Sequence, residues 1–505
     1  MEIENEQDLL TAMHGKSVSV DPEVLRDSEI RNGEFIRYYG KKAEIVIPDS
    51  VTVISERAFK GNTKLTKVTL GRRVSIIKAK AFYGCTGLKS ISMPAGLRSI
   101  GDAAFAGCIS LVSAVLPKSV TSLGEEVFRG CTSLKNVVLP ANLQSLGGFA
   151  FCDCVSLAEI NLPETLTAIH RSTFFNCRAL KELTVPSEVL TIGRYAFSGC
   201  RALESLALPD AVLYLGSGAL CECESLRSFD VPSHVRFISD YAFSSCTSLE
   251  NIHLPERVSY IGIHAFSGCR SLREIELPKR LTKISPAAFL GCSALERITV
   301  PQNVKQIGMR AFAFCRALRE VTLEAHIATV GSETFCGCFA LREIELPESV
   351  TRIEKKAFYR CFALESVVLS QKLQFLGDMA FAECESLTEM SFPPSLRQIG
   401  SHALADCRAL RTVSLPELRF TAKNGLLAGC ESLQTLILPD FMRFSRYRLD
   451  RWEASMEAEV IYHGDLRLSV MLAELSSEEL AEERRAELEK QVKKKLGGRA
   501  YRRNK

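Results

Sequence analysis

The sequence predicts a repeat solenoid, because three residue types recur at a fixed interval of 23 positions. Sixteen of the 19 cysteines follow one another at this interval, from Cys85 to Cys430. All 17 positions that lie three residues beyond this cysteine phase are leucine, from Leu65 to Leu433. Fifteen of the 18 prolines lie nine residues beyond it. A period of roughly 20–50 residues is typical of coils that stack on their neighbours, so we expect a solenoid of about 17 coils.

Length and composition are compatible with one long domain. A globular core stops growing near ~250–300 residues, whereas a solenoid lengthens in one dimension without becoming thicker. The chain of 505 residues is 46% hydrophobic and 24% charged, as is usual for folded proteins. Its net charge of +4 predicts no general attraction to nucleic acid. No run of ~18 apolar residues occurs, so we expect no membrane span.

The first residues predict a cytoplasmic protein. Glu2, Glu4 and Glu6 follow Met1, whereas a secretory signal begins with basic residues and continues with an apolar segment. We therefore expect no signal peptide. The alternative is a cell-surface or secreted protein that is exported by a non-classical route.

The coil that begins at Cys246 illustrates the predicted elements. Ile252 and Leu254 alternate with polar residues, which is typical of a strand with one buried face. Pro255 ends this strand, because proline cannot donate to a sheet ladder. Ile261 then belongs to a second short segment that faces the core.

The remainder of each coil is predicted to turn the chain back. Glycine commonly follows the second segment, as in Gly262, Gly308 and Gly400, and we expect it to adopt a positive φ. Ala265 and Phe266 then lead into a single helical turn. Phenylalanine occupies this last phase in all but three coils, so we expect a row of buried rings. The three exceptions are Leu220, Leu404 and Leu427.

The cysteine phase predicts a row of reduced, buried thiols. Disulfide-rich domains are usually short, with irregular cysteine spacing. Asn62 occupies this phase in the first coil and cannot form a disulfide, although it can bond the backbone. Cys152, Cys221 and Cys336 each lie two residues before a phased cysteine, and such a Cys-x-Cys pair can bind a soft metal. The three pairs lie several coils apart, so we expect no metal site and no cofactor.

Residues 1–44 are predicted to form an N-terminal segment and a hairpin that caps the first coil, and residues 45–440 to form the solenoid. Ile30 and Phe35 flank the dipeptide Asn32-Gly33, which is a strong signal for a two-residue hairpin. The terminal coils of a solenoid expose half a core and need such caps.

Residues 441–475 are predicted to form the C-terminal cap. Arg419 and Ala422 replace apolar residues in the coil after Cys407, which suggests that the repeats end there. An aromatic plug over the last coil is predicted from Phe444, Tyr447, Leu449 and Trp452.

Residues 476–505 are predicted to form a charged helix and a basic tail. Ser476 and Glu479 form a capping box for a helix that runs to about Lys495. Acidic residues come first along this helix and lysines last, which is the order that the helix dipole favours.

The coil from Cys246 to Cys269 resembles the 23-residue BspA-like leucine-rich repeat, also called the Treponema pallidum type. The shared pattern is Cys-x-x-Leu-x-x-Ile-x-Leu-Pro, and the resemblance extends over about residues 45–440. It implies a curved, right-handed leucine-rich-repeat solenoid with a parallel β-sheet on one face and short strands and turns on the other. The better-known members of the family are bacterial and protist surface proteins that resemble adhesins.

We find no convergent set of reactive residues in the sequence. An enzyme needs a nucleophile, acid or base held close together. The eight histidines are scattered, and His264 and His402, which share a phase, stand six coils apart. The sequence therefore predicts a protein that is not an enzyme.

The charged residues of the predicted sheet face are the candidate binding surface. Acidic residues concentrate five and seven residues after the cysteine phase, and basic residues occur one position before them. These rows either keep a long sheet soluble or bind a protein partner. The candidate partner-binding residues are Arg273, Glu274, Glu276, Glu320, Arg342, Glu343 and Glu345.

The leading hypothesis is a non-enzymatic scaffold for protein–protein interaction, which presents the solenoid surface to a partner. The alternative is a cell-surface, adhesin-like protein that binds host or matrix proteins. The identity of the partner and the oligomeric state are left open by the sequence.

Overall fold

The computed structural model describes residues 21–417, 419–443, 451–452, 458–467 and 490–491. The chain divides into two compact units. The first unit is Met1–Val258 with Ala265–Ser271, and the second is Ser259–His264 with Leu272–Lys505. Both units are built from parallel β-solenoid coils, about 18 in all, with very little helix. The predicted repeat solenoid is therefore confirmed.

One face of each coil carries the longer strands, and we call it the long-strand face. Its strands begin about five residues after the cysteine phase and form several separate parallel sheets of two to four strands. Paired strands have a register of 23 residues, as Ser228 with Asn251, except that Thr435 pairs with Glu459. In the first unit they are Glu44–Val46, Lys67–Thr69, Ser90–Ser92, Ser113–Val115, Asn136–Val138, Glu159–Ile160, Glu182–Thr184, Ser205–Ala207, Ser228–Asp230 and Asn251–His253. In the second unit they are Arg297–Val300, Glu320–Leu323, Glu343–Glu345, Ser366–Val368, Glu389–Ser391, Thr412–Ser414, Thr435–Leu438 and Glu459–Tyr462.

A second face carries two-residue strands, and we call it the short-strand face. The second residue of each strand points into the core, and the first points outward, as Phe237 and Ile238 show. In the first unit these strands are Val53–Ile54, Ile76–Ile77, Ser99–Ile100, Ser122–Leu123, Ser145–Leu146, Ala168–Ile169, Thr191–Ile192, Tyr214–Leu215 and Phe237–Ile238. In the second unit they are Tyr260–Ile261, Lys283–Ile284, Gln306–Ile307, Thr329–Val330, Arg352–Ile353, Phe375–Leu376, Gln398–Ile399 and Thr421–Ala422.

The segment that closes each coil, which we call the turn region, is a series of tight turns, so the predicted helical turn is wrong. Successive amides bond alternately within the coil and to the next coil. The amide of Ala58 donates to the carbonyl of Ser55 at 3.3 Å, and that of Phe59 donates to the carbonyl of Ala81 at 2.8 Å. A helix would direct every amide back along its own segment. Stacking in the turn region therefore replaces helix formation as the way to satisfy the backbone.

Two residues of every turn region have a left-handed backbone. They lie 18 and 22 residues after the cysteine phase, and both positions have a positive φ in all 17 coils from Arg57 to Gly429. Only some of them are glycine: Arg360, for example, has φ of 62°. The left-handed conformation costs a residue with a side chain about 1–2 kcal/mol, so stacking compensates for this cost in coil after coil.

The glycines that follow the short strands are required for close packing, and not for the positive φ that the sequence predicted. Gly308 and Gly400 do not adopt a positive φ. A Cβ at Gly308 would lie 2.3 Å from the backbone nitrogen of Pro286, and one at Gly400 would lie 2.3 Å from that of Asp378. These glycines are required because the backbones of neighbouring coils approach each other closely at this corner.

Phenylalanine rings stack along the core, as predicted. In the first unit, eight rings from Phe35 to Phe197 form a continuous stack with centroids 4.8–5.7 Å apart. In the second unit, five rings from Phe289 to Phe381 stack at 4.9–5.6 Å. Phe243 also is fully buried. Offset stacking adds to the burial of apolar area, so each ring stabilises its own coil and the next.

The phased cysteines form the predicted row of buried thiols, and all 19 cysteines are reduced. For fifteen phased cysteines, the Sγ donates to a backbone carbonyl 26 residues earlier, at 3.0–3.3 Å. The carbonyl of Phe82 thus accepts both the amide of Cys85 and the Sγ of Cys108. Asn62 replaces the thiol in its coil, and its Oδ1 accepts the amide of Leu65 at 3.1 Å.

The predicted N-terminal hairpin is confirmed. Strands Ser28–Arg31 and Glu34–Tyr38 pair antiparallel around Asn32 and Gly33, both of which have a positive φ. Glu34–Tyr38 then pairs in parallel with Val53–Ile54, so the hairpin continues the short-strand sheet. A short α-helix, Pro22–Arg26, precedes the hairpin.

At the C-terminal end the repeats continue further than the sequence suggested. Thr421–Ala422 still pairs with Gln398–Ile399, and strand Glu459–Tyr462 adds a further member to the long-strand sheet. A 3-10 helix, Asp440–Met442, lies between these coils. Trp452 is buried, as the aromatic plug predicts.

Other predictions for this end fall on residues that the structure does not describe. They are Phe444, Tyr447, Leu449 and most of the charged segment 476–505. Of the predicted helix to Lys495, only Lys490 and Gln491 are described, and both are helical. The boundaries of the caps and of this segment stay predictions.

Candidate partner-binding surface

The interior of the coils is unsuited to thiol chemistry. Burial raises the pKa of the Cys85, Cys200 and Cys315 thiols to about 12, and that of Cys152 to about 12 as well. A thiol must lose its proton to act as a nucleophile or to bind a metal. These residues therefore remain protonated, which is the state that donates to the carbonyls of the core.

The first cysteines of the three Cys-x-Cys pairs are also shielded from solvent. Cys152 and Cys336 are buried, Cys221 is half-buried, and burial raises the pKa of all three. Among the residues that the structure describes, no three histidine, cysteine or acidic side chains are grouped as a metal ion requires.

The seven candidate residues all lie in the second unit, exposed on its long-strand face. Arg342, Glu343 and Glu345 belong to one coil, where Glu343 pairs with Ser366 across the strands. Glu320 begins a strand of its own and pairs with Arg297. Neighbouring strands lie about 4.8 Å apart, so residues on four consecutive coils span about 14 Å.

Arg273, Glu274 and Glu276 differ from the others because their segment, residues 273–278, forms no strand. The segment is nonetheless bonded to the next coil, since the amide of Glu296 donates to the carbonyl of Arg273 at 2.9 Å. Ile275 between the two glutamates is buried. Both carboxylates therefore face outward, as the alternation of residues predicts.

Opposite charges pair between neighbouring coils in the row that lies four residues after the cysteine phase. The sequence predicted only the basic members of this row. The guanidinium of Arg319 lies 2.6 Å from the carboxylate of Glu296, and both residues are four positions after the cysteine phase. The sequence predicted a basic row at this position but did not single out Glu296 or Arg297. The signal was present, because Glu296 lies 23 residues from both Arg273 and Arg319.

The surface as a whole has an excess of carboxylates. We compare the positions four, five and seven residues after the cysteine phase, which point outward on the long-strand face. From Arg273 to Ser391 in the second unit, these positions hold eight glutamates and four arginines. From Ala43 to His253 in the first unit, they hold six acidic and five basic residues. The described residues show no ion pair within 4.0 Å for any of the seven candidates.

This arrangement is suited to electrostatic recognition. Glu320 stands on a strand that is hydrogen-bonded to Arg297–Val300, and Glu343 and Glu345 stand on a strand that is hydrogen-bonded to Ser366–Val368. Such a surface attracts a basic partner at long range and orients it before contact. No helix among the described residues is sufficiently long and apolar to span a membrane.

A comparison with protein families places most of the chain in one family. The BspA type leucine rich repeat region, in six copies, matches residues 28–154, 121–250, 237–365 and 351–447. A comparison with curated proteins finds no match.

Solved structures of leucine-rich repeat proteins are similar to the chain. A leucine-rich repeat protein of Bacteroides ovatus is 23% identical, with a TM-score of 0.51 over 89% of this chain and 100% of that one. The leucine-rich repeat protein of Treponema pallidum is 36% identical over 37% of this chain and 87% of that one, with a TM-score of 0.33. A leucine rich cell surface protein of Faecalibacterium prausnitzii is 27% identical over 70% of this chain and 95% of that one, with a TM-score of 0.45. The first of these supports the fold alone, whereas the family match covers well over half of the sequence. The chain therefore belongs to the BspA-type leucine-rich repeat family.

Proposed function

We propose that the chain is a non-enzymatic scaffold that binds a protein partner through the long-strand face of its second unit. Solenoids offer extended surfaces of this kind, and leucine-rich repeat proteins are generally protein-interaction scaffolds. The partner is a protein with a basic patch that matches the carboxylates from Glu274 to Glu345.

The observation that carries this proposal is the excess of exposed carboxylates on the long-strand face of the second unit. A surface that had only to remain soluble would be served equally well by mixed charges, as on the first unit. Glu320 and Glu343 hold equivalent positions on neighbouring coils and repel each other, which costs stability unless a partner neutralises them. The proposal assigns no reaction to the chain, because the thiols are held protonated and the histidines are scattered.

Charge reversal tests the proposal. The variant replaces four carboxylates of the second unit by lysine: Glu274→Lys, Glu276→Lys, Glu343→Lys and Glu345→Lys. The control makes the same change of charge on the first unit: Glu159→Lys, Glu182→Lys, Glu204→Lys and Asp230→Lys. Wild type and both variants are used to capture partners from a lysate of the source cells, at low and at high salt.

We expect the wild type and the control to capture the same proteins at low salt, and the variant of the second unit to lose them. Salt screens charges over about 10 Å at 0.1 M, so capture by the wild type should also weaken as salt rises. Circular dichroism melts establish that both variants remain folded. Capture that is unchanged by the second-unit variant would show that this face is not the binding surface.

We also propose that the scaffold acts in a reducing compartment. The support is the row of reduced, buried thiols, since proteins of oxidising compartments usually form disulfides. Protease treatment of intact cells, followed by immunoblotting against a cytosolic control, tests this. Protection of the chain together with the control is expected, and digestion of the chain alone would favour the adhesin-like alternative.

A further inference from the structure

The long-strand face of the first unit carries exposed aliphatic side chains between two lysines. Four of them lie on two neighbouring coils and are 45%, 44%, 36% and 46% exposed: Ile109, Val112, Val115 and Val138. One exposed lysine stands on the coil before them, and another stands on the coil of Val138. We call this surface the lysine-valine patch, and it consists of Lys89, Ile109, Val112, Val115, Lys135 and Val138.

Backbone hydrogen bonds hold these residues side by side. The amide of Val112 donates to the carbonyl of Lys89 at 3.3 Å, and the amide of Lys135 donates to the carbonyl of Val112 at 2.9 Å. Val115 pairs with Val138 across two parallel strands. Neighbouring strands lie about 4.8 Å apart, so the backbones of Lys89 and Lys135 are about 10 Å from each other, with Val112 between them. The patch is therefore continuous over three coils.

The repeat does not require apolar residues at these outward positions. Val115 and Val138 lie seven residues after the cysteine phase, where other coils of the first unit hold Thr69, Thr184 and Asp230. Threonine is β-branched like valine and suits a strand as well, while it offers a hydroxyl group to water. Single apolar residues are common on protein surfaces, whereas adjacent ones mark an interaction surface.

The two lysines leave the patch with a positive charge that the chain does not compensate. Within the described part of the chain, neither Lys89 nor Lys135 forms an ion pair, whereas Lys67 lies 3.9 Å from the carboxylate of Glu44. The outward positions of these three coils, which lie four, five and seven residues after the cysteine phase, hold no acidic residue. The next carboxylate along the face is Glu159, one coil beyond Lys135. A partner that covers the patch therefore has to bring its own carboxylates.

The spacing of the patch fits an α-helix that lies across the coils. Successive turns of a helix are about 5.4 Å apart and neighbouring coils about 4.8 Å, so one side chain per turn meets each coil. Val112 and Val115 are three residues apart along the chain, hence at most about 10 Å, and Ser113 between them is small. A helix is about 10–12 Å wide with its side chains and can rest on both valines at once.

We propose that the lysine-valine patch binds an amphipathic, acidic helix of a protein partner. The apolar stripe of this helix contacts Val112, Val115 and Val138. Carboxylates one turn before and one turn after the residue over Val112 contact Lys89 and Lys135. This site goes beyond the proposed function, because its partner has the opposite charge to the one that the second unit binds. The scaffold then brings an acidic and a basic protein together.

Two other occupants fit the patch less well. A second copy that is centred face to face on Val112, by a twofold axis along the strands or across them, would place lysine opposite lysine. A lipid surface is bound by several cations together with large side chains, such as tryptophan, phenylalanine or leucine, that reach into it. The patch has two lysines and short valines on a sheet.

Fluorescence anisotropy with synthetic peptides and the full chain tests the proposal. The probe is a labelled helical peptide of about 20 residues, with leucine at every third or fourth position and glutamates beside the leucine stripe. The control peptide has one central proline, which breaks the helix. The protein variants are Val112→Glu and the double change Lys89→Glu with Lys135→Glu. Thr388→Glu is the matched control, at the phase of Val112 in the second unit.

The wild type and Thr388→Glu should bind the glutamate peptide equally, with an affinity that falls as salt rises. The proline peptide should bind at least about tenfold more weakly, because it cannot present leucine and glutamate on successive turns. Val112→Glu and the double variant should each lose at least about tenfold in affinity, since both place carboxylates opposite those of the peptide. Circular dichroism melts establish that the variants are folded.

Equal binding of the glutamate and proline peptides would overturn the assignment of a helix, and unchanged binding by Val112→Glu would overturn the assignment of the patch. A wild type that does not bind the glutamate peptide would overturn the proposal as a whole. In that case, co-sedimentation with vesicles of phosphatidylserine and phosphatidylcholine would assign the patch to a lipid surface. Self-association that Val112→Glu abolishes would assign it to a second copy.

Discussion

The turn region and the long-strand face of one coil differ in how much their residues vary from coil to coil. In the turn region of the coil that ends at Cys315, Phe312 and Cys315 are buried, and alternate amides bond to the next coil. On the long-strand face, each strand buries one residue, such as Ile298, and turns its neighbours outward. The buried residues of the turn region are almost the same in every coil, whereas the outward residues of the strands differ.

This difference separates the residues that build the solenoid from those that are free to acquire a function. A residue that stacks on its equivalents has the same neighbours in each coil and is therefore restricted to one or two types. An outward residue has only lateral contacts, so its charge can change from coil to coil. Variation among otherwise equivalent positions is thus the signal to look for in a repeat protein.

The largest effect is expected in the stack of rings. Phe312→Ala should lower the free energy of unfolding by about 3–5 kcal/mol, because it leaves a cavity between Phe289 and Phe335. Phe312→Leu should cost less, since leucine occupies this phase naturally at Leu220. Chemical denaturation measures both. Equal stabilities of the alanine variant and the wild type would contradict the role of the stack.

The next largest loss of stability is expected at Gly308, and a smaller one at Gly291. Gly308→Ala should cost about 1–3 kcal/mol, because its Cβ would lie 2.3 Å from the backbone of Pro286 and force the coils apart. Gly291→Ala meets no atom within 4 Å and should cost only the left-handed backbone, about 1 kcal/mol. Thermal melts of the two variants decide this order. The reverse order would show that backbone conformation, and not close approach, restricts the corner.

A smaller effect is expected for the thiols, and it depends on pH. Cys200→Ala removes a hydrogen bond to the carbonyl of Phe174 and should cost about 1–2 kcal/mol at neutral pH. Burial raises the pKa of the Cys200 thiol from 9.0 to about 12, so the folded state holds this proton more tightly than the unfolded state. The resulting stabilisation is complete below pH 9 and is lost between pH 9 and about 12.

The wild type should therefore lose stability faster than Cys200→Ala above pH 9, by up to about 1.4 kcal/mol for each pH unit. Urea unfolding at neutral pH and at two alkaline values measures the difference. An exposed substitution such as Ser366→Ala provides the control, and its profile should run parallel to that of the wild type. Parallel profiles for Cys200→Ala as well would mean that this thiol titrates as it does in the unfolded chain.

The smallest effect is expected on the long-strand face. Glu343→Lys should change the free energy of unfolding by less than about 0.5 kcal/mol, because the side chain is exposed and makes no ion pair among the described residues. The same melts as for Phe312→Ala measure it. A loss comparable to that of the ring variant would remove the distinction between the two regions.

Several features of the fold were predictable because each coil repeats them. The strand at Ile252, the burial of Phe243 and the hairpin at Asn32-Gly33 all follow from local patterns of residue type. The thiol row followed from spacing, and Asn62 showed that its chemistry is hydrogen bonding. The location of Arg273, Glu274 and Glu276 on an outward face followed from alternation alone.

Other features were missed because they depend on two coils at once. The helical turn at Phe266 was a reasonable prediction for four residues of one segment, but stacking offers their amides partners in the next coil. The strand Glu459–Tyr462 is not preceded by a cysteine at the repeat position. It pairs with the edge of the preceding strand, Thr435–Leu438. The pairing of Arg319 with Glu296 likewise requires two coils to be placed side by side.

The sequence by itself determined the period of the solenoid, its buried rows and the residues that face outward, because hydrophobic alternation and spacing act within a single coil. Only the tertiary structure decided why Gly308 is glycine and which charges meet. Those properties are set by distances of a few ångströms between stacked coils, and the order of residues along one chain does not contain them.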